Sequence, residues 1–454
     1  MRRAAFMVFL TLMQLPALFS TSAAEPDYED IGREAARILA DLVRINTTNP
    51  PGNESKAVDY LARLFDREGV LYVRTAEVDG RENIIARYHG SGEKRPILLY
   101  SHTDVVPADA GWGEWTVDPF SGIVRDGILY GRGAIDAKGL VAVHAATMLL
   151  LKRENIPLDR DVIFLAAAAE ETGGGPGIAW LLEEHRELID AEYALGEGGR
   201  VQQRADSVWS VWVQAGEKAA HNLTVTALGT AKHAAIPSRY NAIDRLTDAL
   251  VRLRAHTFPP RPNAVTEAFR RNLESVAPEL FPRSDRYDAM QRTTISVTLI
   301  EGGIKTNVIP DYAEANLNLR LVPGEDLDSV VTVLNDVVAD ENVKVAKQPW
   351  AVSRAGTVSF ETPFYNAIES TANVLWPHAV VTPYLSPGTS DASKLRDAGI
   401  IAYGLMPFPL TAAESDRVHG VDESIRLDAL QEGIRFTYEL LKRWSGTDPK
   451  TAKP

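Results

Sequence analysis

The stretch Leu98–Asp109 reads LLYSHTDVVPAD, and it sets the first expectation for the fold. Its first three residues continue an apolar run that is typical of a buried strand, and His102 and Asp104 follow where that strand ends. Residues two apart on a strand share a face, so both side chains should point the same way. Burying ionisable groups there is costly unless a partner compensates them. The stretch therefore predicts a strand that ends in a polar site.

Acidic residues follow three further apolar stretches of the chain. Asp136 lies in YGRGAIDAKG before a predicted helix, Glu170 and Glu171 follow VIFLAAAA, and Glu197 follows AEYALG. The carboxyl ends of strands in an open α/β sheet form the crevice in which ligands bind. We therefore expect these carboxylates to meet at that crevice. Each also has an ordinary interpretation, because Asp often caps a helix and a Glu-Glu pair often begins a solvated one.

A divalent metal ion would stabilise these carboxylates, since one dication offsets the charge of two carboxylates and orders them. The chain contains no cysteine, so the ligands must come from His, Asp and Glu, and no disulfide is possible. Imidazole and carboxylate ligands favour zinc, with cobalt and manganese as alternatives.

The composition narrows the class of protein. The 454 residues are 45% hydrophobic and 24% charged, which is ordinary for globular proteins and leaves room for two or more domains. The formal net charge is −13. Nucleic-acid-binding proteins usually carry a basic surface, and anionic membranes also attract positive charge. We therefore expect neither as a partner.

The first 24 residues have the pattern of a secretory signal peptide. Two arginines precede an apolar run over residues 4–19, and Ser22 and Ala24 fit the small-residue cleavage rule. We predict cleavage after Ala24 and export to the periplasm or the medium, with no membrane attachment afterwards. The alternative is a membrane anchor, although the apolar run is short for a bilayer span.

Strands and helices alternate beyond the signal, which predicts an α/β fold class. RPILLYSH and RDVIFLAAAAEE read as strands covered on both faces, with KGLVAVHAATMLLLKREN as a helix between them. From residue 216 to 347 the predicted order becomes β-α-β-β-α-β, a ferredoxin-like unit. We predict a catalytic domain over residues 25–215 and 348–454, interrupted by this α+β lid or dimerisation domain.

Residues 258–288 are rich in Pro and Arg and contain several aromatic residues, so they read as an insertion. Their apolar side chains are expected to pack within the lid. The alternative is that they line a pocket for a long acyl chain.

Together these motifs closely resemble those of the co-catalytic zinc metallopeptidases, the family of aminoacylase, glutamate-releasing carboxypeptidase, acetylornithine deacetylase and succinyl-diaminopimelate desuccinylase. The resemblance covers nearly the whole chain after residue 24, in order. It implies a zinc-peptidase-like mixed sheet flanked by helices, with an inserted ferredoxin-like lid. The segments that carry it are SHTDVVP, YGRGAIDAKG, AAAEETGGGPG, GEGG, GTAKHAAIP, GGIKTNVIPDYAEANLNLRLVPG, SPGTSDASKLRDAGI and RVHGVDESI.

The resemblance also implies two zinc ions per subunit and a role for each polar residue. Glu170 would be the general base, and Asp104 would hydrogen-bond the far nitrogen of the ligand His102 and fix its tautomer. Glu197 departs from many members, which have Asp there. The implied metal ligands are Asp136 as the bridge, His102 and Glu197 in one site, and Glu171 and His419 in the other.

The resemblance implies further roles for residues of the lid and of a loop near the C-terminus. His233 would reach from the lid of a partner subunit to stabilise the oxyanion, although Lys232 stands where the family often has Gly. A histidine that acts in this way implies a homodimer through the lid. The implied substrate-binding residues are Asn307 and Arg320, which would bind the substrate carboxylate, and Gly388 and Thr389, which would shape the back of the pocket.

The sequence thus favours an exported di-zinc hydrolase that cleaves an amide or peptide bond next to a free carboxylate, as a carboxypeptidase or dipeptidase does. The alternative is an N-acyl amino acid deacylase, and a remote one is a non-catalytic periplasmic binding protein on the same scaffold. A metallo-phosphoesterase would need more basic residues around the metals. The expected partner is a small peptide or an N-acyl amino acid.

Overall fold

The computed structural model describes residues 25–108, 113–239, 241–281, 284–351 and 356–447. The signal peptide predicted over residues 1–24 lies outside them. Within the described ranges, no helix combines the length and the apolar character that crossing a bilayer requires.

The secondary structure alternates as the sequence predicts. The strands are β1 (Tyr72–Thr75), β2 (Asn83–Tyr88), β3 (Ile97–His102), β4 (Ile123–Arg125), β5 (Ile128–Tyr130), β6 (Val162–Ala167), β7 (Tyr193–Arg204), β8 (Ser207–Glu217), β9 (Ala219–Leu228), β10 (Lys232–His233), β11 (Thr294–Gly302), β12 (Val308–Ile309), β13 (Tyr312–Leu321), β14 (Val343–Ala351), β15 (Gly356–Thr357), β16 (Val380–Ser386), β17 (Ile401–Leu410) and β18 (Ser424–Arg426). The α-helices are α1 (Tyr28–Arg44), α2 (Glu54–Glu68), α3 (Lys138–Glu154), α4 (Trp180–Glu184), α5 (Arg186–Ile189), α6 (Ala242–Ala255), α7 (Ala264–Leu273), α8 (Asp285–Gln291), α9 (Leu327–Val338), α10 (Pro363–Leu375), α11 (Ala392–Asp397), α12 (Ala412–Ser415) and α13 (Leu427–Ser445).

A nine-stranded mixed sheet forms the centre of the larger domain, in the order β1-β2-β6-β3-β7-β17-β8-β15, with β16 paired to β8. β3 lies between β6 and β7 and runs parallel to both. All six residues of β3 and of β6 are buried, as near-continuous apolar strands require. The carboxyl ends of these three strands therefore open at one edge of the sheet.

Helices cover both faces of this sheet. α1, α3 and α13 pack on one another and share one hydrophobic core. A second cluster, which includes Ile178, Leu181 and Leu395, covers the opposite face. α1 begins where the Asp27 carboxylate accepts two backbone N–H groups, and α2 ends at Gly69 in the left-handed conformation. The predicted α/β fold, a mixed sheet flanked by helices, is confirmed.

A separate four-stranded antiparallel sheet has the order β11-β13-β9-β14. α6 and α9 pack on it and form a core of their own. The chain order β9-α6-β11-β13-α9-β14 is the β-α-β-β-α-β order that the sequence predicts for the lid. β15 then returns to the large sheet beside β8. The exact domain limits at residues 216 and 347 stay a prediction.

The expectation that the insertion at residues 258–288 packs within the lid is wrong for most of its apolar side chains. Phe258 belongs to the lid core. The helices α7 and α8 turn instead to the large sheet, and α7 lies against β16. Periodicity shows that a helix has an apolar face, but not which of two sheets receives it. The residues of the insertion that join the core of the large domain are Val265, Phe269, Leu273 and Tyr287, and Met290 follows just after it.

Candidate active site

Two strand ends and one strand interior supply the first polar residues of the site. β3 ends at His102, whose side chain is buried, and Glu170 follows three residues after the end of β6. Glu197 lies within β7, the other neighbour of β3. The parallel pairing of these strands therefore brings together residues that are up to 95 positions apart in the chain, between His102 and Glu197.

One histidine contacts two carboxylates in this group. The Nε2 atom of His102 lies 2.9 Å from Glu197 Oε2 and 3.1 Å from Asp136 Oδ1. His102 is 1% exposed, so none of these groups is separated by bulk water. The arrangement is that of three side chains converging on one point.

A second histidine contacts the other side of the same aspartate. The Nε2 atom of His419 lies 3.2 Å from Asp136 Oδ2 and 3.3 Å from Glu171 Oε1. The two oxygens of Asp136 therefore face two different histidines. A carboxylate in that position can bridge two cations, each completed by one histidine and one glutamate.

The donor set fits a metal. Ligand atoms of His102, Asp136 and Glu171 lie within 4.8 Å of one another, and so do those of His102, Glu170 and Glu197. Glu171 Oε1 is buried, and its 3.3 Å contact with His419 Nε2 does not have the geometry of a hydrogen bond. A buried carboxylate oxygen in that state is costly, and a divalent cation would satisfy it. Imidazole and carboxylate ligands without thiolate suit zinc.

Burial and mutual repulsion shift the protonation of these carboxyl groups. Burial, followed by the charge of Glu197, raises the pKa of Glu170 well above its ordinary range. Burial likewise raises the pKa of Glu197 to about 7 and also raises that of Glu171. Burial acts in the same direction on Asp136, but hydrogen bonds to both histidines outweigh it and lower the pKa. Like charges crowded in this way need a cation to coexist.

Asp104 contacts the site through two kinds of atom. The His102 Nδ1 atom lies 3.0 Å from the backbone oxygen of Asp104 and 3.4 Å from its carboxylate Oδ1. The carboxylate itself accepts the backbone N–H groups of Glu170 and Glu171, both at 3.1 Å. Asp104 thus orients the histidine and also fixes the loop that carries the two glutamates.

The sequence analysis missed Asn49. Its Nδ2 atom donates to Asp104 Oδ2 at 2.7 Å and to Thr172 Oγ1 at 2.9 Å. Asn49 is 3% exposed and lies in NTTNPPGN, a segment that reads only as a helix break. Nothing in that segment marks Asn49 as part of a site, because its role depends on contacts with Asp104 and Thr172 elsewhere in the chain.

Glu423 and Arg132 were also missed. Glu423 is fully buried, and its carboxylate accepts the backbone N–H groups of Gly133, Ile135 and Asp136 at 3.1, 2.9 and 3.0 Å. Arg132 donates from Nη1 to Glu423 at 2.7 Å and from Nη2 to the backbone oxygen of His419 at 3.2 Å. This buried pair holds the loops of both Asp136 and His419.

The glycines of LGEGG explain how Glu197 is held. A Cβ at Gly196 would collide with the ring of Tyr100, and one at Gly198 would collide with the amide of Gln214. Gly198 also has φ +119°, which side chains rarely adopt. The close packing fixes the backbone on both sides of Glu197.

An open cavity of about 350 Å³, here called the outer cavity, adjoins Glu170, Glu171 and His419. Arg320 and Thr389 line it as well, and the Arg320 Nη1 atom donates to Thr389 Oγ1 at 3.2 Å. The structure therefore brings the predicted substrate residues Arg320, Thr389 and the neighbouring Gly388 to the same space as the predicted base.

His233 and Asn307 lie elsewhere. They are exposed on the short antiparallel pair β10 and β12 and beside it, where the Ala234 N–H donates to the Asn307 oxygen at 3.1 Å. The Nδ1 atom of His233 accepts the N–H of Ala235 at 3.0 Å. Neither residue is among the described residues that line the outer cavity.

Comparison with known proteins agrees with the geometry. The chain is 28% identical over 393 residues to "Probable carboxypeptidase S-like 2" of Dictyostelium discoideum, covering 79% of this chain and 75% of that protein. It is 29% identical over 380 residues to "N-fatty-acyl-amino acid synthase/hydrolase PM20D1" of Homo sapiens, covering 77% and 74%. The crystal structure of the M20 family metallo-carboxypeptidase Sso-CP2 from Sulfolobus solfataricus shares the fold, with a TM-score of 0.72 at 20% identity over 90% of this chain and 98% of that one.

The family model described as Peptidase family M20/M25/M40 matches residues 98–443, which include the histidines, the acidic residues and the lid described above. The His and carboxylate cluster supplies ligand atoms of the kind that a metal-dependent peptidase needs. This chain therefore belongs to peptidase family M20/M25/M40 and is a metal-dependent hydrolase.

Proposed function

We propose that this chain is an exported di-zinc hydrolase that cleaves an amide or peptide bond next to a free carboxylate. One observation carries the proposal: the two oxygens of Asp136 face two histidines, His102 and His419, beside a cavity lined by Arg320. A bridging carboxylate supports a pair of metal ions, and the arginine supports an anionic substrate group.

The residues that would hold the ions divide into two sets around Asp136. His102 and Glu197 belong to one, and Glu171 and His419 to the other. Bound there, two zinc ions would polarise the scissile carbonyl and lower the pKa of water to about 7. Cobalt or manganese fits the same ligands.

Glu170 is proposed as the general base. It lies beside the ligand Glu171 and lines the outer cavity, while its backbone is fixed by Asp104. Burial raises its pKa, which favours a carboxyl group that takes a proton from the attacking water and then gives it to the leaving nitrogen. Removing such a group typically slows a reaction by about 10²–10⁴-fold.

Arg320 is proposed to bind the substrate carboxylate. Its Nε atom donates to Asn318 Oδ1 at 2.9 Å, and its Nη1 atom to Thr389, so the guanidinium is oriented before substrate arrives. Burial lowers its pKa without removing its charge. A planar guanidinium can bind a carboxylate through two parallel hydrogen bonds.

His233 and Asn307 are proposed to act on the partner's site in a homodimer. Their exposed position leaves them free to do so. The edge strand β11 supports such an assembly, because Val297, Leu299 and Ile300 are 41%, 66% and 63% exposed there. An exposed apolar edge strand is a template for pairing with another chain.

An N-acyl amino acid deacylase is the second candidate. It is favoured by a further cavity of about 180 Å³, here called the inner cavity, which reaches from Asp136 and Glu197 between apolar walls that include Phe408 and Leu410. An acyl chain fits such walls better than a charged peptide terminus does.

The experiment is a substrate screen on purified protein that lacks the predicted signal peptide, residues 1–24. Dipeptides and N-acyl amino acids are compared with the same substrates amidated at the carboxylate, before and after chelation and zinc addition. We expect zinc-dependent hydrolysis of the free acids only. Chelation without loss of activity would contradict the metal site, and equal hydrolysis of the amidated substrates would contradict the carboxylate requirement.

A further inference from the structure

Among the residues that the structure describes, a third cavity shares lining residues with the inner cavity but none with the outer one. This distal cavity has a volume of about 240 Å³ and is lined by residues of β7, β8 and the insertion, among them Trp212, Phe269 and Tyr287. Arg200 and Ser415 line both the inner and the distal cavity. Arg200 therefore stands where the inner and distal cavities meet, whereas Thr389 and Ser390 line both the inner and the outer cavity.

The inner cavity has both acidic and basic lining residues. Asp136 and Glu197 of the metal-ligand cluster line it, and so does Arg200, which it shares with the distal cavity. The apolar part of the wall of the inner cavity consists of Ile135, Met406, Phe408, Leu410 and Val418, and Gln214 and four hydroxyl residues also line it. A short chain of methylene groups would pack against the apolar part of this wall.

Among the described residues, the Arg200 guanidinium has no hydrogen-bond partner and no ion pair, although the charges of Asp416 and Asp136 act on it. Arg286 of α8 also lines the distal cavity, and its one hydrogen bond within those residues runs to the Tyr384 hydroxyl at 3.3 Å. Neither guanidinium has a carboxylate within ion-pair distance in the described part of the chain.

The remaining charges around the distal cavity do not offset these two. Arg204 already pairs with Glu279 and lies 4.0 Å above the ring of Trp209. Asp416 is the one carboxylate among the described residues that line the distal cavity. Arg200 and Arg286 therefore exceed Asp416 by one positive charge, and burying an unpaired guanidinium is unfavourable.

Repulsion between the two guanidiniums adds to that cost. Burial lowers the pKa of Arg200, and the charge of Arg286 lowers it further. An arginine keeps its proton at neutral pH, so the compensation must come from an anion rather than from neutralisation. Metal ions on the cluster would also offset the charge of Asp136, which otherwise attracts Arg200.

We propose that Arg200, assisted by Arg286, is a carboxylate-binding subsite for the acyl side of the substrate. The inference rests on the proposed function, with the amino acid carboxylate at Arg320 in the outer cavity and the scissile amide at the metal ligands. The acyl group then extends through the inner cavity, and a carboxylate at its end pairs with Arg200. A glutamate side chain and a short dicarboxylic acyl group both present that chemistry.

The test uses pairs of substrates that differ only in this charge. Glu-Leu is compared with Gln-Leu, and N-glutaryl-leucine with its terminal monoamide, on the zinc-loaded enzyme. Because a charge-assisted pair is worth more than a neutral hydrogen bond, kcat/KM should favour the acid of at least one pair by about tenfold or more. Preference within the first pair identifies a peptide substrate, and preference within the second identifies a dicarboxylic acyl substrate. Equal rates within both pairs would overturn the subsite.

Variants assign the preference to the residues. In Arg200→Gln the acid-to-amide ratio should fall to within about twofold of unity, and Arg286→Gln, outside the central sheet, should lower the ratio less. Arg443→Gln, an exposed arginine that pairs with Glu439, is the control and should keep the wild-type ratio. A loss of rate that is equal for acid and amide would show that Arg200 supports the fold rather than the substrate.

A binding measurement separates this inference from the proposed function. Calorimetry with the zinc-loaded Glu170→Ala variant should give a Kd for Glu-Leu or for N-glutaryl-leucine about tenfold or more below that of the matching amide. If wild-type enzyme hydrolyses none of the four compounds but this difference is found, the subsite stands and the proposed function fails. Equal Kd values, with hydrolysis present, would overturn the subsite alone.

Discussion

The carboxylate of Glu423 accepts the backbone N–H of Asp136 at 3.0 Å, so a residue that lines none of the three cavities fixes the aspartate that contacts both His102 and His419. The same carboxylate binds Arg132, which in turn holds the backbone oxygen of His419. Two loops that are far apart in the sequence thus share one buried ion pair. Metal affinity should depend on this pair although neither member is a proposed ligand.

Glu423→Gln tests that dependence. The amide is nearly isosteric, but its nitrogen cannot accept a backbone N–H, so the loop of Asp136 loses part of its support. Loss of a residue that hydrogen-bonds a metal ligand typically lowers the affinity for the metal by about 10–100-fold. Competition with a chelator measures the zinc affinity, and the exposed Glu29→Gln is the control. Unchanged affinity in a folded Glu423→Gln protein would contradict the role.

Substitution of the adjacent glutamates should separate chemistry from metal binding. Glu170→Ala is expected to lower kcat by about 10²–10⁴-fold while the zinc content is retained, because this residue is the proposed base. Glu171→Ala is expected to lower the zinc content as well. Both variants keep the backbone N–H groups that Asp104 binds. Near wild-type turnover in Glu170→Ala would rule out the proposed base.

Mixing two inactive variants tests whether His233 acts across a dimer. A dimer of Glu170→Ala and His233→Ala subunits has one site with both residues and one with neither. Random reassociation should then restore about a quarter of the wild-type activity. Light scattering gives the oligomeric state of each sample. If the mixture stays inactive although mixed dimers form, the histidine does not act in trans.

Arg320→Lys should raise KM more than it lowers kcat. Lysine keeps the charge but loses the planar fork, so the two parallel hydrogen bonds to a carboxylate are lost. We expect a rise in KM of about tenfold or more for the best substrate of the screen. Arg435→Lys, at a partly exposed position on α13, is the control. A variant with unchanged KM would place the substrate carboxylate elsewhere.

Lys218 should give the protein a stability that rises with pH. Its Nζ atom donates to the oxygens of Ala289 and Arg292, and burial lowers its pKa to about 7. The unfolded lysine keeps its proton to about pH 10.5, so between these values the unfolded state binds more protons. The free energy of unfolding then increases with pH over that window, by at most about 1.4 kcal/mol per pH unit for one proton.

Urea denaturation of the zinc-loaded protein at pH 7, 8 and 9 measures this increase. Lys218→Met should lower the slope against pH, whatever its effect on stability at a single pH. Lys56→Met, at an exposed position, should leave the slope unchanged. Equal slopes in wild type and Lys218→Met would contradict the prediction.

Local pattern was sufficient for the individual elements and for their order. The apolar run before His102 gave β3, and KGLVAVHAATMLLLKREN gave α3 with its bounds nearly intact. The spacing of apolar residues is a property of a short segment, so it can be read directly from the sequence of that segment. The alternation of strand and helix then predicted the sheet edge at which the polar residues lie.

Contacts between distant segments could not be read in the same way. Arg132 and Glu423 are 291 positions apart, and each looks like an ordinary charge within its own motif. The packing predicted for the insertion was wrong for a related reason, since the sequence around Phe269 does not indicate which of the two hydrophobic cores this residue joins. In both cases the answer depends on tertiary packing, which single-sequence patterns do not contain.

The position of the insertion also decides how the lid is tethered. The chain passes from the large domain to the lid after β8, leaves it after α6 to form α7 and α8 on the large sheet, enters it again at β11, and returns finally at β15. The lid is therefore joined to its base by four crossings rather than two. A domain that is joined by two chain segments can rotate freely about the axis through them. Four connecting segments restrict both the extent and the direction of any closing rotation of the lid.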